Sequence, residues 1–529
     1  MLLPEFIVES PKYIFNIIKK YFLCFLSALL LLLSFAPFDI FFLTWIGFIP
    51  LFLFIYRTQD YKSIFKGSLI FGLLFFFGNV YWIYHSLYHY GSVPLLFSYT
   101  VVILLSSYLA LYPVVFSLLY KNLLKNNLPT SLYAPFIWVS LEVLRTYFMT
   151  GFPWAIIGYS QYKFLLISQI SDITGIYGIS FIVVLFNCFI FDLWLFRERK
   201  IYQPLMPYYT IIISSCLVII VLVVYISYGA IMLNDNYNSK KIKIAVIQGS
   251  IPQDEKWDQK RVEQIIDIYK NLTKKANDLK PDLIVWPETA IPFVFDRDKH
   301  FTSELINFVK QEGIYLLFGS VMERQKNSYT NSAVLLDSNG VTAYLYDKIH
   351  LVPFGEYVPL RKFLFFIEKL TVGSVDYQKG ESYSLAITPF GKFSTLICYE
   401  IIFPGQVRKF YQKGGNFIVN ITNDGWFGKT SGPYQHFSMA VFRAIENRKP
   451  LVRAANSGIS GFIDSKGRII EKTNLFDRTY LVSDIYPNEK ITFYTKYGDI
   501  FAYICIIVSI IFIFGNIRIG GKKWLHVKI

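Results

Sequence analysis

Three residues of this 529-residue chain close or follow short apolar runs in an order that suits covalent catalysis: Glu288, Lys348 and Cys398. Cys398 ends Phe393-Ser394-Thr395-Leu396-Ile397, which reads as a buried strand stopping abruptly before a helix-starting segment, Phe403-Pro404-Gly405-Gln406-Val407-Arg408. A nucleophile at the tip of such a turn is accessible, and nearby backbone N–H groups can face an oxyanion. Glu288 ends a second apolar run, Val285-Trp286-Pro287, and Lys348 lies in Tyr346-Asp347-Lys348-Ile349-His350-Leu351-Val352-Pro353-Phe354-Gly355-Glu356. The attacking species is a thiolate, whereas a free cysteine titrates near about 8.5, so the site must supply a proton acceptor. A carboxylate can serve. A carboxylate beside a thiolate repels it, so a cation is also needed, and that cation can stabilise a tetrahedral oxyanion. Glu288 as base, Lys348 as stabiliser and Cys398 as nucleophile form a self-consistent set, and Glu356 and Glu400 could orient Lys348 or share its charge. Singly, each residue is ordinary: a cysteine after Leu-Ile packs, and a charged residue after a strand is solvated. The order Glu, Lys, Cys, with two strand ends, points to an acyl-transferring enzyme working through Cys398.

The elements that must position these residues are legible over 236–490. Lys241 to Gln248 alternates and then runs apolar, as a sheet strand does. A helical pattern over 259–279 precedes a strand at 282–286. Helix 301–312 and strands 314–319 and 331–337 follow. Strands alternating with helices imply an α/β domain, here long enough for a full core.

The remainder has a different character. The chain is 54% hydrophobic and 19% aromatic, with a mean hydropathy of +0.40, above the roughly 45–50% apolar content of soluble domains. Apolar segments near 21–36, 40–56, 65–84, 94–120, 133–149, 174–196 and 207–231, with another near 499–516, predict a polytopic helical membrane protein. The first two, separated by Pro37-Phe38-Asp39, could be one tight hairpin. The polytopic stretch that follows favours a retained helix over a cleaved leader at 21–36. The expected division is 1–235 transmembrane (about seven spans), 236–490 catalytic, and 491–529 a last span with a tail. Lys19, Lys20, Arg57, Lys62, Lys66, Lys121, Lys125, Arg197, Arg199 and Lys200 would share one side, against Arg145 and Lys163 on the other. This asymmetry puts both termini in the cytoplasm and 236–490 on the far side of the membrane. It also accounts for much of the net charge of +15, so nucleic acid is not an expected partner.

Of five cysteines, Cys24, Cys188, Cys216 and Cys505 lie in apolar runs, leaving Cys398 alone in the polar part. His350 and His436 lack metal-ligand spacing, and His85 and His89, four apart, have no acidic neighbour, so no metal is expected. Phe354, Tyr357, Phe363, Phe365 and Phe366, beside Arg361 and Lys362, would suit an acyl-chain mouth at a bilayer as well as ordinary core.

Trp286-Pro287-Glu288, the Lys348 motif and Cys398-Tyr399-Glu400 resemble the three catalytic motifs of the nitrilase superfamily, and within it the chain most resembles the apolipoprotein N-acyltransferase family. Phe35-Ala36-Pro37-Phe38, Gly151-Phe152-Pro153-Trp154 and Gly158-Tyr159-Ser160-Gln161 are similar as well. So are Asn420 to Gly428, Gly432-Pro433-Tyr434-Gln435-His436, Arg443-Ala444-x-Glu446-Asn447-Arg448 and Arg453-Ala454-x-Asn456-x-Gly458. The resemblance implies an αββα sandwich on an eight-helix membrane domain. Glu288 would be the base, Lys348 the oxyanion stabiliser and Cys398 the nucleophile. Glu356, Tyr399 and Glu400 would support them, and Gln248 to Gln253 with Trp257 would form a substrate-side loop. It implies acyl transfer from a phosphatidylethanolamine-like phospholipid to the amino group of a diacylglyceryl-cysteine lipoprotein. The setting would be a bacterial inner membrane, and the enzyme a monomer without cofactor.

Overall fold

In a computed structural model the chain is described over residues 11–202, 208–235, 239–358 and 376–519. Phe363, Phe365, Phe366, Arg361 and Lys362, the expected lipid mouth, lie outside the described residues.

Helices occupy each of the eight apolar stretches: α1 (Pro11–Leu33), α2 (Ile49–Arg57), α3 (Tyr61–Val80), α4 (Leu95–Leu123), α5 (Ala134–Tyr147), α6 (Ile176–Tyr202), α7 (Tyr208–Asn234) and, at the far end, a helix over Ile500–Ile519. Among the described residues four are long and apolar enough to cross a membrane: Tyr61–Val80, Leu95–Asn126, Ile176–Glu198 and Tyr209–Asn234. The 14 residues of α5 reach only about 21 Å, short of a bilayer's roughly 30 Å hydrocarbon thickness. α1 and the chain from Phe41 to Arg57 fold back on one another as a hairpin. α6 lies at the centre of the block, with 67% of its apolar window buried, whereas α7 lies at its edge with 22%. The exposed side chains of α7 include Ile212, Ile213, Leu217, Ile219, Ile220, Val223, Val224, Ile226 and Ile231, the composition of a lipid-facing surface.

Residues beyond 240 form two sheets. The strands are β1 (Ile242–Gln248), β2 (Leu283–Val285), β3 (Val294–Phe295), β4 (Leu316–Gln325), β5 (Ser328–Leu336), β6 (Thr342–Asp347), β7 (Ala386–Thr388), β8 (Gly391–Ile397), β9 (Phe417–Thr422), β10 (Leu451–Ala455), β11 (Gly461–Ile463), β12 (Ile469–Lys472) and β13 (Thr479–Ile485). The first sheet runs β13-β1-β2-β4-β5-β6, with β3 on β4, and the second runs β12-β11-β10-β9-β8-β7. Each holds a parallel trio, β1-β2-β4 and β8-β9-β10.

Strand alternation sends Ala245, Ile247, Ile284, Trp286, Leu316 and Phe318 to one face of the first sheet. There they meet α8 (Val262–Asn277) and α9 (Lys299–Glu312). Val262, Ile265, Ile266, Tyr269 and Ala276, spaced as one helical stripe, make the buried face of α8. The predicted helix over 259–279 begins as a 3-10 turn, Gln259–Arg261, before α8 proper. Ile244, Val246, Leu283, Val285, Leu317 and Leu335 point the other way, into a core shared with the second sheet. Over the second sheet lie α10 (Pro404–Gln412) and α11 (Gly432–Asn447). All of α11 is buried except Tyr434, because it is covered by sheet on one side and by the membrane block on the other. Four layers result, helix-sheet-sheet-helix, with an apolar core continuous into the membrane helices.

Candidate active site

β8 delivers Cys398. Its neighbours β9 and β7 hold the strand to Ile397, and there the backbone turns to φ 50° at Cys398. A non-glycine residue in the left-handed region costs roughly 1–2 kcal/mol, so the surrounding structure must enforce it. Glu400, fully buried, does so. Its Oε2 accepts from the Ile397 N–H at 2.8 Å. Its Oε1 accepts from Ile349 N–H (2.8 Å), His350 N–H (3.1 Å), the Tyr346 hydroxyl (2.8 Å) and Gln406 Nε2 (2.7 Å). Glu400 therefore pins the nucleophile turn to the loop after Lys348. Lys348 itself takes no hydrogen bond or ion pair from it.

Glu288 enters after β2, whose register on β4 brings Gly319 against it. A Cβ at Gly319 would stand 2.4 Å from the Thr289 nitrogen, so only glycine lets the Glu288 loop lie this close. Glu288 is 5% exposed. Its Oε1 accepts from Asn331 Nδ2 at 2.8 Å and lies 3.6 Å from Lys348 Nζ. Its Oε2 is buried and has no hydrogen-bond partner among the described residues.

Lys348 follows β6 and is buried with Glu356, whose oxygens lie 3.0 and 2.9 Å from Nζ. Asn331 of β5 also donates to Glu356 Oε1 at 2.8 Å, and the Val352 N–H donates to Oε2 at 2.8 Å. One amide thus bridges both carboxylates. Nothing in sequence marked Asn331. The available signal is a polar run, Thr330-Asn331-Ser332, leading into the apolar Ala333-Val334-Leu335-Leu336 of the same strand.

Burial is the largest influence on Lys348 and disfavours its charge, but Glu356, Glu288 and Cys398 together hold its ammonium above the ordinary range. Burial pushes the Cys398 thiol up, Glu288 adds to this, and Lys348 opposes it. The thiol is therefore held toward its neutral form and the lysine toward its charged form. A thiol, a carboxyl able to accept its proton and an ammonium in one buried site are the groups that covalent acyl transfer requires.

Trp257 is partly exposed, while its neighbour Lys256 is 1% exposed and points inward. Lys256 Nζ donates to the Glu288 carbonyl at 3.1 Å. Burial lowers its pKa to about 8, with Glu288 and Cys398 acting in the opposite sense. Sequence reading passed over Lys256 for the tryptophan beside it. Tyr399 is partly buried among aromatic rings, 5.1 Å from Phe403, on which His350 stacks at 3.8 Å. Beneath Cys398, Arg453 Nη2 pairs with Asp424 Oδ2 at 2.8 Å, and His436 Nδ1 and the Thr422 hydroxyl both lie 2.9 Å from Asp424 Oδ1. Burial would raise the Asp424 carboxyl, but Arg453 and His436 together outweigh it and hold Asp424 below the usual carboxylate range.

Residues 27–189 match the family model of the apolipoprotein N-acyltransferase N-terminal domain, and 243–490 match that of carbon-nitrogen hydrolases. The apolipoprotein N-acyltransferase of Geobacter metallireducens is 41% identical over 92% of this chain and 93% of its own. The chain belongs to the apolipoprotein N-acyltransferase family. The family's proteins from Rickettsia prowazekii and Wigglesworthia glossinidia brevipalpis are 34% and 32% identical, over 94% and 90% of this chain and 97% and 95% of theirs. It is accordingly an acyltransferase of the nitrilase superfamily and a bacterial membrane protein.

Several of the family-like segments outside the three motifs form the joint between membrane helices and sandwich in this acyltransferase. Trp154 Nε1 donates to Gln435 Oε1 at 2.6 Å, and Gln435 Nε2 donates to the Ala36 carbonyl (3.3 Å) and to Asn79 Oδ1 (3.2 Å). Arg443 Nη2 donates to Tyr159 (3.1 Å) and Glu446 (2.9 Å). Arg448 Nε pairs with Asp172 at 2.9 Å, and its other nitrogens donate to the side chain and carbonyl of Gln169.

Proposed function

We propose that the chain transfers an acyl group from a membrane phospholipid, of phosphatidylethanolamine type, through a Cys398 thioester to the N-terminal amino group of a diacylglyceryl-cysteine apolipoprotein, completing lipoprotein maturation. Glu288 takes the thiol proton as Cys398 attacks the donor ester. Lys348, oriented by Glu356 and Asn331, stabilises the tetrahedral oxyanion. Glu288 then gives its proton to the departing lysophospholipid oxygen. The α-amino group of the lipoprotein attacks the thioester, and Cys398 leaves as the thiol. Splitting the transfer this way gives ping-pong kinetics.

The observation that carries this reading is the turn at Cys398: a thiol at a strained strand tip, with a carboxylate oxygen left unpaired on Glu288 and an ammonium fixed between two carboxylates. The joint to the membrane helices supports lipid substrates, since a site held at the bilayer meets acyl chains directly and restricts competing water. The chain works as a transmembrane part (1–235), a catalytic part on the periplasmic side of the inner membrane (236–490) and a closing helix with a cytoplasmic tail (491–529). The N-terminus is also cytoplasmic, in keeping with the basic asymmetry of the loops.

Incubation of the purified protein with phospholipid vesicles should add one acyl chain to the Cys398 peptide, read by mass spectrometry, with lysophospholipid released in equal amount. Free fatty acid produced without a persistent adduct would mean that water is the acceptor and that the protein is a hydrolase.

A further inference from the structure

The charges around Cys398 leave one proton of the transfer without a destination. At neutral pH the acceptor's α-amine, with a pKa of about 7.7–8.0, arrives mainly as an ammonium. An ammonium has no lone pair and cannot attack. Two protons must leave its nitrogen before the amide is complete. Glu288 can take one and pass it to the departing thiolate. The other needs a second base. Glu356 is committed to Lys348 Nζ, Asn331 and the Val352 N–H. Glu400 is closed by its own partners, and Asp424 is bound to Arg453, His436 and Thr422.

Lys256 remains. It is buried, it donates to the Glu288 carbonyl at 3.1 Å, and that carbonyl is its one hydrogen-bond partner among the described residues. An ammonium carries three donors, so its charged form is poorly satisfied here and its neutral form is tolerated. The titratable groups acting on it are Glu288 and Cys398. Glu255 of the same loop is occupied with Arg261.

We propose that Lys256 is a second catalytic base of the acyl transfer, taking the first proton from the acceptor's ammonium before the amine attacks the Cys398 thioester. The assignment rests on the two-step reading above. The neutral Lys256 amine removes one proton from the acceptor. The freed amine attacks the thioester carbonyl, forming the C–N bond. Glu288 takes the second proton as the C–S bond breaks, then returns it to the Cys398 thiolate. Lys256 afterwards releases its proton to solvent, so the cycle liberates one proton in all, and no oxidant or co-reactant is needed. A pKa of about 8 matches this base to the amine it deprotonates.

The test uses the full-length protein in lipid nanodiscs, first loaded to the Cys398 thioester and then chased with either a diacylglyceryl-cysteine peptide or hydroxylamine, which is already neutral at pH 7. Lys256→Met should load Cys398 within about threefold of the unaltered protein. Its chase by peptide at pH 7 should slow about tenfold, the factor by which the ammonium form outweighs the free amine there, while its chase by hydroxylamine stays unchanged. Lys256→Arg should fail in the same way, because it restores the charge but not the base. Rescue by Lys256→Arg, equal slowing of both chases, or loss of loading in both variants would each overturn the assignment. The deficit of Lys256→Met in the peptide chase should shrink as pH rises above 8, where the acceptor arrives already neutral, and the hydroxylamine chase should show no such dependence. An inflection shared by both nucleophiles would also overturn it. A protein that never loads at Cys398 would refute the two-step reading itself, independently of Lys256.

Discussion

Two buried polar clusters of this molecule use charged and amide side chains to opposite ends. At the joint, Arg448 spends every guanidinium nitrogen, on Asp172 and on the side chain and carbonyl of Gln169, and Asp172 accepts from Tyr228 besides. At the active site, among the described residues, Glu288 keeps one oxygen unpaired, Lys256 has a single carbonyl partner, and Lys348 is braced by Glu356, itself held by Asn331. A closed network fixes geometry. An open one retains capacity to accept or give protons, at the cost of desolvation that burial imposes. Glu400 shows that the distinction is not one of residue type or strand position. It follows Cys398 by two residues, yet it is closed, and its work is to hold the turn.

Substitutions in the two clusters should therefore separate chemistry from stability. The largest effect is expected from Cys398→Ala, which should abolish the acyl adduct while leaving thermal unfolding almost unchanged; an adduct that survives would put the nucleophile elsewhere. Glu288→Gln should lower the rate of Cys398 acylation about 10²–10⁴-fold, again with little effect on unfolding, because the amide preserves shape and keeps an acceptor for Asn331. Near-normal turnover in that variant would remove Glu288 from the base role. Asp172→Asn should do the reverse. Leaving Arg448 buried without its counter-charge should destabilise the fold by about 3–5 kcal/mol, measured by thermal unfolding in detergent, whereas single-turnover acylation of the protein that remains folded should change less than threefold. Equal losses of rate and stability in both clusters would erase the contrast.

The smallest effect concerns pH. Burial, with Lys348 adding to it, lowers His350 from its usual value to about 4. The folded protein thus binds this proton less readily than the unfolded chain. The stability it contributes is present above about 6.5 and is lost as pH falls from there towards 4. Each pH unit in that window corresponds to about 1.4 kcal/mol at most. His350→Gln should flatten the acid side of the stability curve by about 2 kcal/mol. An unchanged slope between pH 6.5 and 4 would show that other groups govern acid unfolding.

Much of this was legible in sequence because it is local. Apolar runs announce helices, since burial in lipid demands internally satisfied backbone. Strand alternation places β1 and β2, and the motifs carrying Glu288, Lys348 and Cys398 read directly from neighbouring residues. Span number was harder, because α5 is short and depends on its neighbours for cover, which hydropathy along the chain does not record. Glu400 could not be told from Glu356 as a partner for Lys348, because both are glutamates a few residues from a motif residue, Cys398 or Lys348. Only the folded loops send one to the lysine and the other to backbone N–H groups.

Residue type and order, then, determined by themselves that this chain carries a thiol, a carboxylate and a lysine suited to acyl transfer, on a polytopic helical base. Tertiary structure decided which polar atoms meet. Asn331 joins Glu288 and Glu356 from a strand between them, Lys256 turns inward while Trp257 stays at the surface, and Gln435 reaches Ala36 and Asn79 far back in the chain. Hydrophobic periodicity is set by adjacent residues, but the partners of a buried polar group are fixed by register and loop closure across long separations. In this protein those long-range pairings decide which charged groups are closed and which stay open for chemistry.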